Sequence, residues 1–166
     1  MARKNSGFRA PSVRLFLCVA VVTALSACGG DNALFTGSDT YVAILSGARE
    51  VPAVQTTASG QATFNRVGAK VTYTVTATGF STPLTVGHVH IGDVGVIGPV
   101  IVPFTIVAQS GTVASGSIDL SVPITQGNIT ISGDSLRTLF ESGKSYVNLH
   151  TAAYPGGEIR GQIVKQ

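Results

Sequence analysis

Lys70-Val71-Thr72-Tyr73-Thr74-Val75-Thr76-Ala77-Thr78 decides the fold. Apolar side chains at 71, 73, 75 and 77 alternate with threonines at 72, 74, 76 and 78. In an extended chain successive side chains point to opposite faces, so a period of two means one face in a core and one in water. One-sided burial of that kind belongs to an antiparallel sheet. Working outward, Arg66-Val67-Gly68-Ala69 reads as the turn of a hairpin back to a strand at 61–65, where Ala62 and Phe64 share a face. A first strand at 41–45 precedes it.

The same texture continues to the C-terminus. Runs of Val, Thr, Ile and Tyr are broken by Gly, Pro, Ser and Asn at intervals of about 8–12 residues, an all-β pattern. Further strands are expected at 85–91, 100–107, 112–120, 146–151 and 158–164. Loops are expected at 80–84 and at the glycine-rich 92–99. Pro103 argues against a central place for 100–107, because proline brings no N–H to a ladder. In the last strand Ile159 and Ile163 are expected inside, and Glu158, Arg160 and Gln162 outside. Tyr154-Pro155-Gly156-Gly157 is a strong turn signal before it. One short helix is predicted over 136–141: Asp134 or Ser135 caps it, Leu136, Leu139 and Phe140 form its stripe, and Gly143 stops it. About eight strands with one peripheral helix make an antiparallel Greek-key β-sandwich or barrel.

The chain has 166 residues, enough for one domain with a real core, and a formal net charge of +3. That charge misleads, because Arg3, Lys4, Arg9 and Arg14 all lie in residues 1–27, where there is no acid. Beyond them 7 basic residues face 8 acidic ones, which excludes a basic nucleic-acid surface. The N-terminal stretch reads as a signal peptide: a basic region at 1–14, then an apolar run at 15–25 that is too short to span a bilayer. Residues 28–40, rich in Gly, Asp, Asn, Ser and Thr, read as a tether. Cys18 lies within the apolar run, so export leaves Cys28 as the one cysteine and allows no internal disulfide.

The three histidines are the chemical signal. His88 and His90 sit two residues apart in Gly87-His88-Val89-His90-Ile91-Gly92-Asp93, on one strand face with Val86. His150 lies in Ser145-Tyr146-Val147-Asn148-Leu149-His150-Thr151, on the face shared by Tyr146 and Asn148. Both strands turn aliphatics one way and imidazoles the other. His88 and His90 have Cβ atoms about 7 Å apart, close enough to share an ion. With His150 they would form a three-nitrogen set suited to zinc or copper, and Asp93 is placed to be a fourth ligand or to orient one. The alternative is structural: His88 and His90 bond backbone carbonyls and the 92–99 loop, and His150 bonds Asn148 or Glu158. No nucleophile constellation or phosphate-cradling loop is present. The Glu158 and Arg160 pair reads as a solvated or cross-strand ion pair.

Two resemblances add to this reading. Leu25-Ser26-Ala27-Cys28 resembles the lipobox of bacterial lipoproteins, which implies cleavage before Cys28 and a lipid on its thiol. Gly29 after that cysteine implies sorting to the outer membrane, with the domain in the periplasm or at the cell surface. The domain itself, over about 41–165, resembles the CHRD family. The matching stretches are Leu45-Ser46-Gly47, Glu50-Val51-Pro52-Ala53-Val54, Ser59-Gly60-Gln61-Ala62, the histidine motif, Gly98-Pro99-Val100-Ile101, and the ending. That ending runs from Tyr146-Val147-Asn148-Leu149-His150-Thr151 through Tyr154-Pro155-Gly156-Gly157-Glu158-Ile159-Arg160-Gly161-Gln162-Ile163. Departures are Gly87, where the family usually has alanine, and Val94 to Ile97 in place of small polar residues. The resemblance marks Glu50, Pro52, Asn148, Gly156, Gly157, Glu158 and Arg160 as motif positions and implies no settled activity. The histidine motif is also similar to that of copper-zinc superoxide dismutase, but that enzyme needs more histidines than this chain has, and a disulfide. The expectation is a lipid-anchored, non-catalytic module for a protein or polysaccharide ligand. The rivals are a metal-binding protein or metalloenzyme on the three histidines, and a purely structural envelope protein.

Overall fold

A computed structural model describes residues 1–2 and 35–166. The expected signal peptide, Cys28 and the first part of the expected tether lie outside the described residues. The end of that tether belongs to the domain instead. Phe35 is buried in the core, and the first strand, β1 (Ser38–Ser46), begins before residue 41. No helix among the described residues is long and apolar enough to cross a membrane.

Six longer strands and five shorter ones follow one another. After β1 come β2 (Ser59–Val67), β3 (Lys70–Thr78), β4 (Leu84–Ile91), β5 (Val100–Pro103) and β6 (Gly111–Asp119). A small hairpin, β7 (Ile124–Gln126) and β8 (Ile129–Ile131), leads into helix α1 (Gly133–Glu141). The chain ends in β9 (Ser145–Thr151), β10 (Ile159–Gln162) and β11 (Val164–Lys165). The main sheet is antiparallel throughout, in the order β5-β4-β9-β10-β1-β2-β3-β6, with β11 also on β1. It curls until its edges approach: past Pro103 the chain crosses to β6, where Ile106 bridges Ala114. With those edges adjacent, β4, β5 and β6 run in series and β3 lies beside β6, which is a Greek key.

The alternation in β3 is as read, with Val71, Tyr73, Val75 and Ala77 buried and the threonines exposed. Its neighbours β2 and β6 bury Phe64, Ala62, Val113 and Ile118 on the same inner side. From the other half of the sheet come Val89, Ile101, Val147, Leu149, Ile159 and Ile163. An aromatic chain joins the halves: Tyr41 to Phe140 at 5.5 Å, Phe140 to Phe64 at 5.1 Å, Phe64 to Tyr73 at 6.1 Å and Tyr73 to Phe104 at 4.9 Å. Each such side chain taken from water contributes about 1.5–3 kcal/mol, the main stabilisation of a domain without a disulfide.

Three local readings are corrected. The helix starts earlier than expected, and Ser132 caps it by accepting from Ser135 N at 3.1 Å; neither Asp134 nor Ser135 is the cap. Gly133 permits this entry, since a Cβ there would lie 1.9 Å from the Leu120 carbonyl oxygen. Gly143 ends the helix at φ +66° as read. Only 100–103 of the expected 100–107 strand pairs regularly, on the sheet edge, where the missing N–H of Pro103 is tolerated. The β7–β8 hairpin is the third difference; three residues in each strand are too few for a period of two to register.

Candidate metal centre

The polar sides of β4, β9 and β10 form one continuous surface. Across the strands His88 stands beside Asn148 and Asn148 beside Arg160; His90 stands beside Tyr146 and Tyr146 beside Gln162; Val86 stands beside His150. This surface is not open to water. All seven residues of β9 are buried, so its Tyr146, Asn148 and His150 are covered as thoroughly as its Val147 and Leu149. The cover comes from the 92–99 loop, the 154–157 turn and the segment around Glu50.

Arg160 holds the first cover. Its Nη2 donates to the carbonyls of Asp93 at 3.1 Å and Val96 at 2.9 Å, and Gln162 Nε2 donates to Gly92 O at 2.7 Å. Tyr146 Oη accepts from Gly98 N at 3.1 Å. The guanidinium carbon of Arg160 lies 3.4 Å above the Tyr146 ring, whose other face is stacked on His90. Glu158 ties the segment that follows Glu50, and the loop at Ser81, to β9. Its carboxylate, fully buried, accepts from Thr56 Oγ1 at 2.6 Å, Ser81 N and Oγ at 2.9 Å each, and Thr151 Oγ1 at 2.6 Å. Burial pushes the Glu158 carboxyl up, but the bonds from Thr151, Thr56 and Ser81 outweigh it and hold its pKa below the usual value. The reading of Glu158 and Arg160 as outward-facing and paired is thus corrected. Both are interior, no ion pair joins them among the described residues, and each satisfies its charge on a different loop.

Within this shell the three imidazoles meet. One nitrogen from each of His88, His90 and His150 lies within 4.8 Å of the others. His90 Nδ1 is 2.9 Å from Gly98 O and His150 Nδ1 is 3.0 Å from Pro155 O. A carbonyl only accepts, so both Nδ1 atoms carry the proton and both Nε2 atoms present lone pairs. His150 Nε2 lies 3.3 Å from His88 Nδ1, while His90 Nε2 is buried with no partner. Nitrogens bound to one ion at 2.0–2.1 Å stand about 3.3–3.6 Å apart, so one pair is already at the required distance. Burial lowers the pKa of all three rings, that of His88 to about 4 with the neighbouring His150 and His90 adding to it. They are neutral at pH 7, the form a metal binds.

Other motif residues fall where the cover is built. Asp93 is exposed and outside the nitrogen cluster; it contributes its carbonyl, not its carboxylate. Glu50 is buried, and desolvation raises its pKa to about 7 against the lowering effect of Arg160. Its Oε1 and Asn148 Oδ1 both lack partners and converge on Gly157 at φ +127°, where a Cβ would lie 2.7 Å from Glu50 Oε1. Asn148 Nδ2 reaches Gly156 O at 3.5 Å. Pro52, exposed, follows a cis peptide bond. The sequence reading passes over Tyr146 and Gly98 as site residues. The signal for Tyr146 is its parity with His150; for Gly98 it is the resemblance of Gly98-Pro99-Val100-Ile101 alone, since its requirement is the 1.6 Å separation between a notional Cβ and Ile91 O.

The fold and this face define an all-β half-barrel with an internal histidine cluster. The chain belongs to the CHRD domain family, whose model matches residues 41–163. No curated protein and no solved structure matches it.

Proposed function

We propose that this protein is an exported, lipid-anchored envelope protein whose CHRD domain is a non-catalytic module that binds one zinc or copper ion through His88, His90 and His150. The observation that carries the metal reading is the orientation of two imidazoles. Backbone carbonyls of Gly98 and Pro155 take the Nδ1 protons of His90 and His150 and turn both Nε2 lone pairs inward, leaving that of His90 buried and unpartnered. Carbonyl-anchored imidazole is how proteins hold metal-ligating histidine. Membership of the CHRD family and the lack of a nucleophile set in the sequence support a module without catalysis. The ordered basic and apolar N-terminal regions ahead of Cys28 support export and anchoring.

Elemental analysis of untagged protein tests the first part: close to one zinc or copper per chain is expected, and none in His90→Ala. Absence of metal after incubation with both ions overturns it. Fractionation tests the second: Cys28→Ala moves the protein from the membrane to the soluble fraction, and an unchanged distribution overturns the anchor.

A second reading, binding of a polysaccharide, has one observation in its favour. On the outer face of β1, β2, β3 and β6, beyond the Lys70 and Asp119 pair at one end, two rows are uncharged: Thr40, Asn65, Thr72 and Ser117 form one cross-strand row and Val42, Thr63, Thr74 and Ser115 the next. Retention on a cell-wall fraction, unchanged by His88→Ala and lost in Thr74→Lys, would establish that reading.

A further inference from the structure

The metal reading leaves zinc and copper equal, and the charges around the site separate them. The inference rests on that reading and concerns the valence of the ion. The ligand set contains no anion. Asp93 points its carboxylate to water, Glu158 spends its oxygens on Thr56, Ser81 and Thr151, and Glu50 is turned to Gly157 and Asn148. Three neutral imidazoles leave the bound ion its full charge.

A buried cation stands beside the ligand set. Arg160, 2% exposed, stacks on Tyr146, and Tyr146 stacks on His90 with ring centroids 4.8 Å apart and 9° between planes. The guanidinium bonds carbonyls only, and among the described residues the ion pairs belong to Arg66, Arg137 and Lys165. Arg160 therefore makes no ion pair among the described residues, and the buried acid within its field, Glu50, titrates near 7 and offsets only part of its charge. Repulsion from Arg160 grows with the charge of the ion, and the cost of burying the ion grows with the square of that charge. A divalent ion meets twice the repulsion and four times the burial cost of a monovalent one. Zinc offsets this elsewhere with thiolate or carboxylate ligands or a bound hydroxide. A filled-shell monovalent copper ion accepts three nitrogens with no fourth ligand.

We infer that the histidine cluster is a site for monovalent copper, holding Cu(I) in preference to Zn(II) and Cu(II). Bound copper consequently has a higher Cu(II)/Cu(I) potential than the ion in water. The preference lies in the absence of a carboxylate, and one exposed position can restore it. Val86 lies on the same face as His88, pairs with His150 across the strands and is 43% exposed, so a longer polar side chain is tolerated there.

The test uses the full-length protein in detergent, without a histidine tag and under anaerobic conditions. Cu(I) is titrated against bathocuproine disulfonate, and the loaded protein is then challenged with Zn(II) or oxidised to Cu(II). One Cu(I) per chain is expected, retained against a tenfold excess of Zn(II), and zinc-loaded protein is expected to release its zinc to Cu(I). Val86→Glu should shift the Cu(I)-to-Zn(II) affinity ratio at least tenfold towards zinc. Zinc retained against Cu(I) in the wild type overturns the valence inference and leaves the metal site standing. No binding of any of the three ions overturns the metal site itself.

Discussion

His90 and Tyr146 lie face to face, 4.8 Å between ring centroids and 9° from parallel, on adjacent antiparallel strands in register. The stack fixes the plane of His90, whose Nε2 is buried with no partner. Tyr146→Leu should therefore weaken metal binding about 10–100-fold, the usual effect of removing a group that orients a ligand. Tyr146→Phe keeps the stack and loses only the Gly98 contact, so it should stay within about threefold of wild type. Competition titrations on the two variants check this, and equal losses in both would show that the hydroxyl matters and the stack does not.

Glu158 gathers four hydrogen bonds from three separate segments. Glu158→Gln keeps the shape but turns one acceptor into a donor facing hydroxyls and an amide. It should cost about 2–4 kcal/mol in urea unfolding. The Glu158 pKa is held below its unfolded value of 4.5, so its contribution is complete above 4.5 and is lost as pH falls from there through the folded value. The gap between wild type and variant should therefore close in acid. A constant gap from pH 3 to 7 contradicts the assignment.

Glu50 and His88 give opposite slopes to stability. Glu50 titrates near 7 in the fold and at 4.5 in the unfolded chain, so its ionisation removes stability as pH rises between those values. His88 titrates near 4 in the fold and at 6.5 unfolded, so protonation of the unfolded chain removes stability as pH falls between those values. Glu50→Gln should gain on wild type at pH 8 by on the order of 1 kcal/mol and by less at pH 5. Apo protein should lose stability below pH 6.5, and His88→Gln should lose less of it. Denaturant midpoints across pH 4–8 read both effects.

The packing around Gly87 leaves no room for a side chain. A Cβ there would sit 2.5 Å from Leu149 Cδ2 and 3.2 Å from Phe104 Cδ2. Gly87→Ala should cost about 1–3 kcal/mol by overpacking, and Leu149→Val should recover part of it. A double variant no more stable than the sum of the singles would show that the glycine serves another purpose.

Alternation carried most of the fold. Thr72, Thr74, Thr76 and Thr78 name the wet side of β3 without any structure, and Leu136, Phe140 and Gly143 name the helix. Parity put His88 and His90 on one strand face and His150 on the polar face of its own strand; that the two strands are neighbours comes from the sheet order. What alternation could not supply was the depth of the polar face. Parity says that Arg160 and Glu158 share the side opposite Ile159, but not whether water or a loop lies above them. That depends on where 92–99 and 154–157 fold back, which rests on backbone carbonyls of Asp93, Val96 and Pro155 and on the close approach at Gly98. Carbonyls are common to every residue, so they leave no mark in the sequence.

β9 is a wall shared by two rooms. Leu149 faces the oily one, and Asn148 and His150, its immediate neighbours in the chain, face the other. A methyl group added or removed on the oily side is felt one peptide away by an imidazole. Affinity for an ion at the proposed site would thus be retuned by substitutions that never touch it, and the residues that set its strength need not be the residues that hold it.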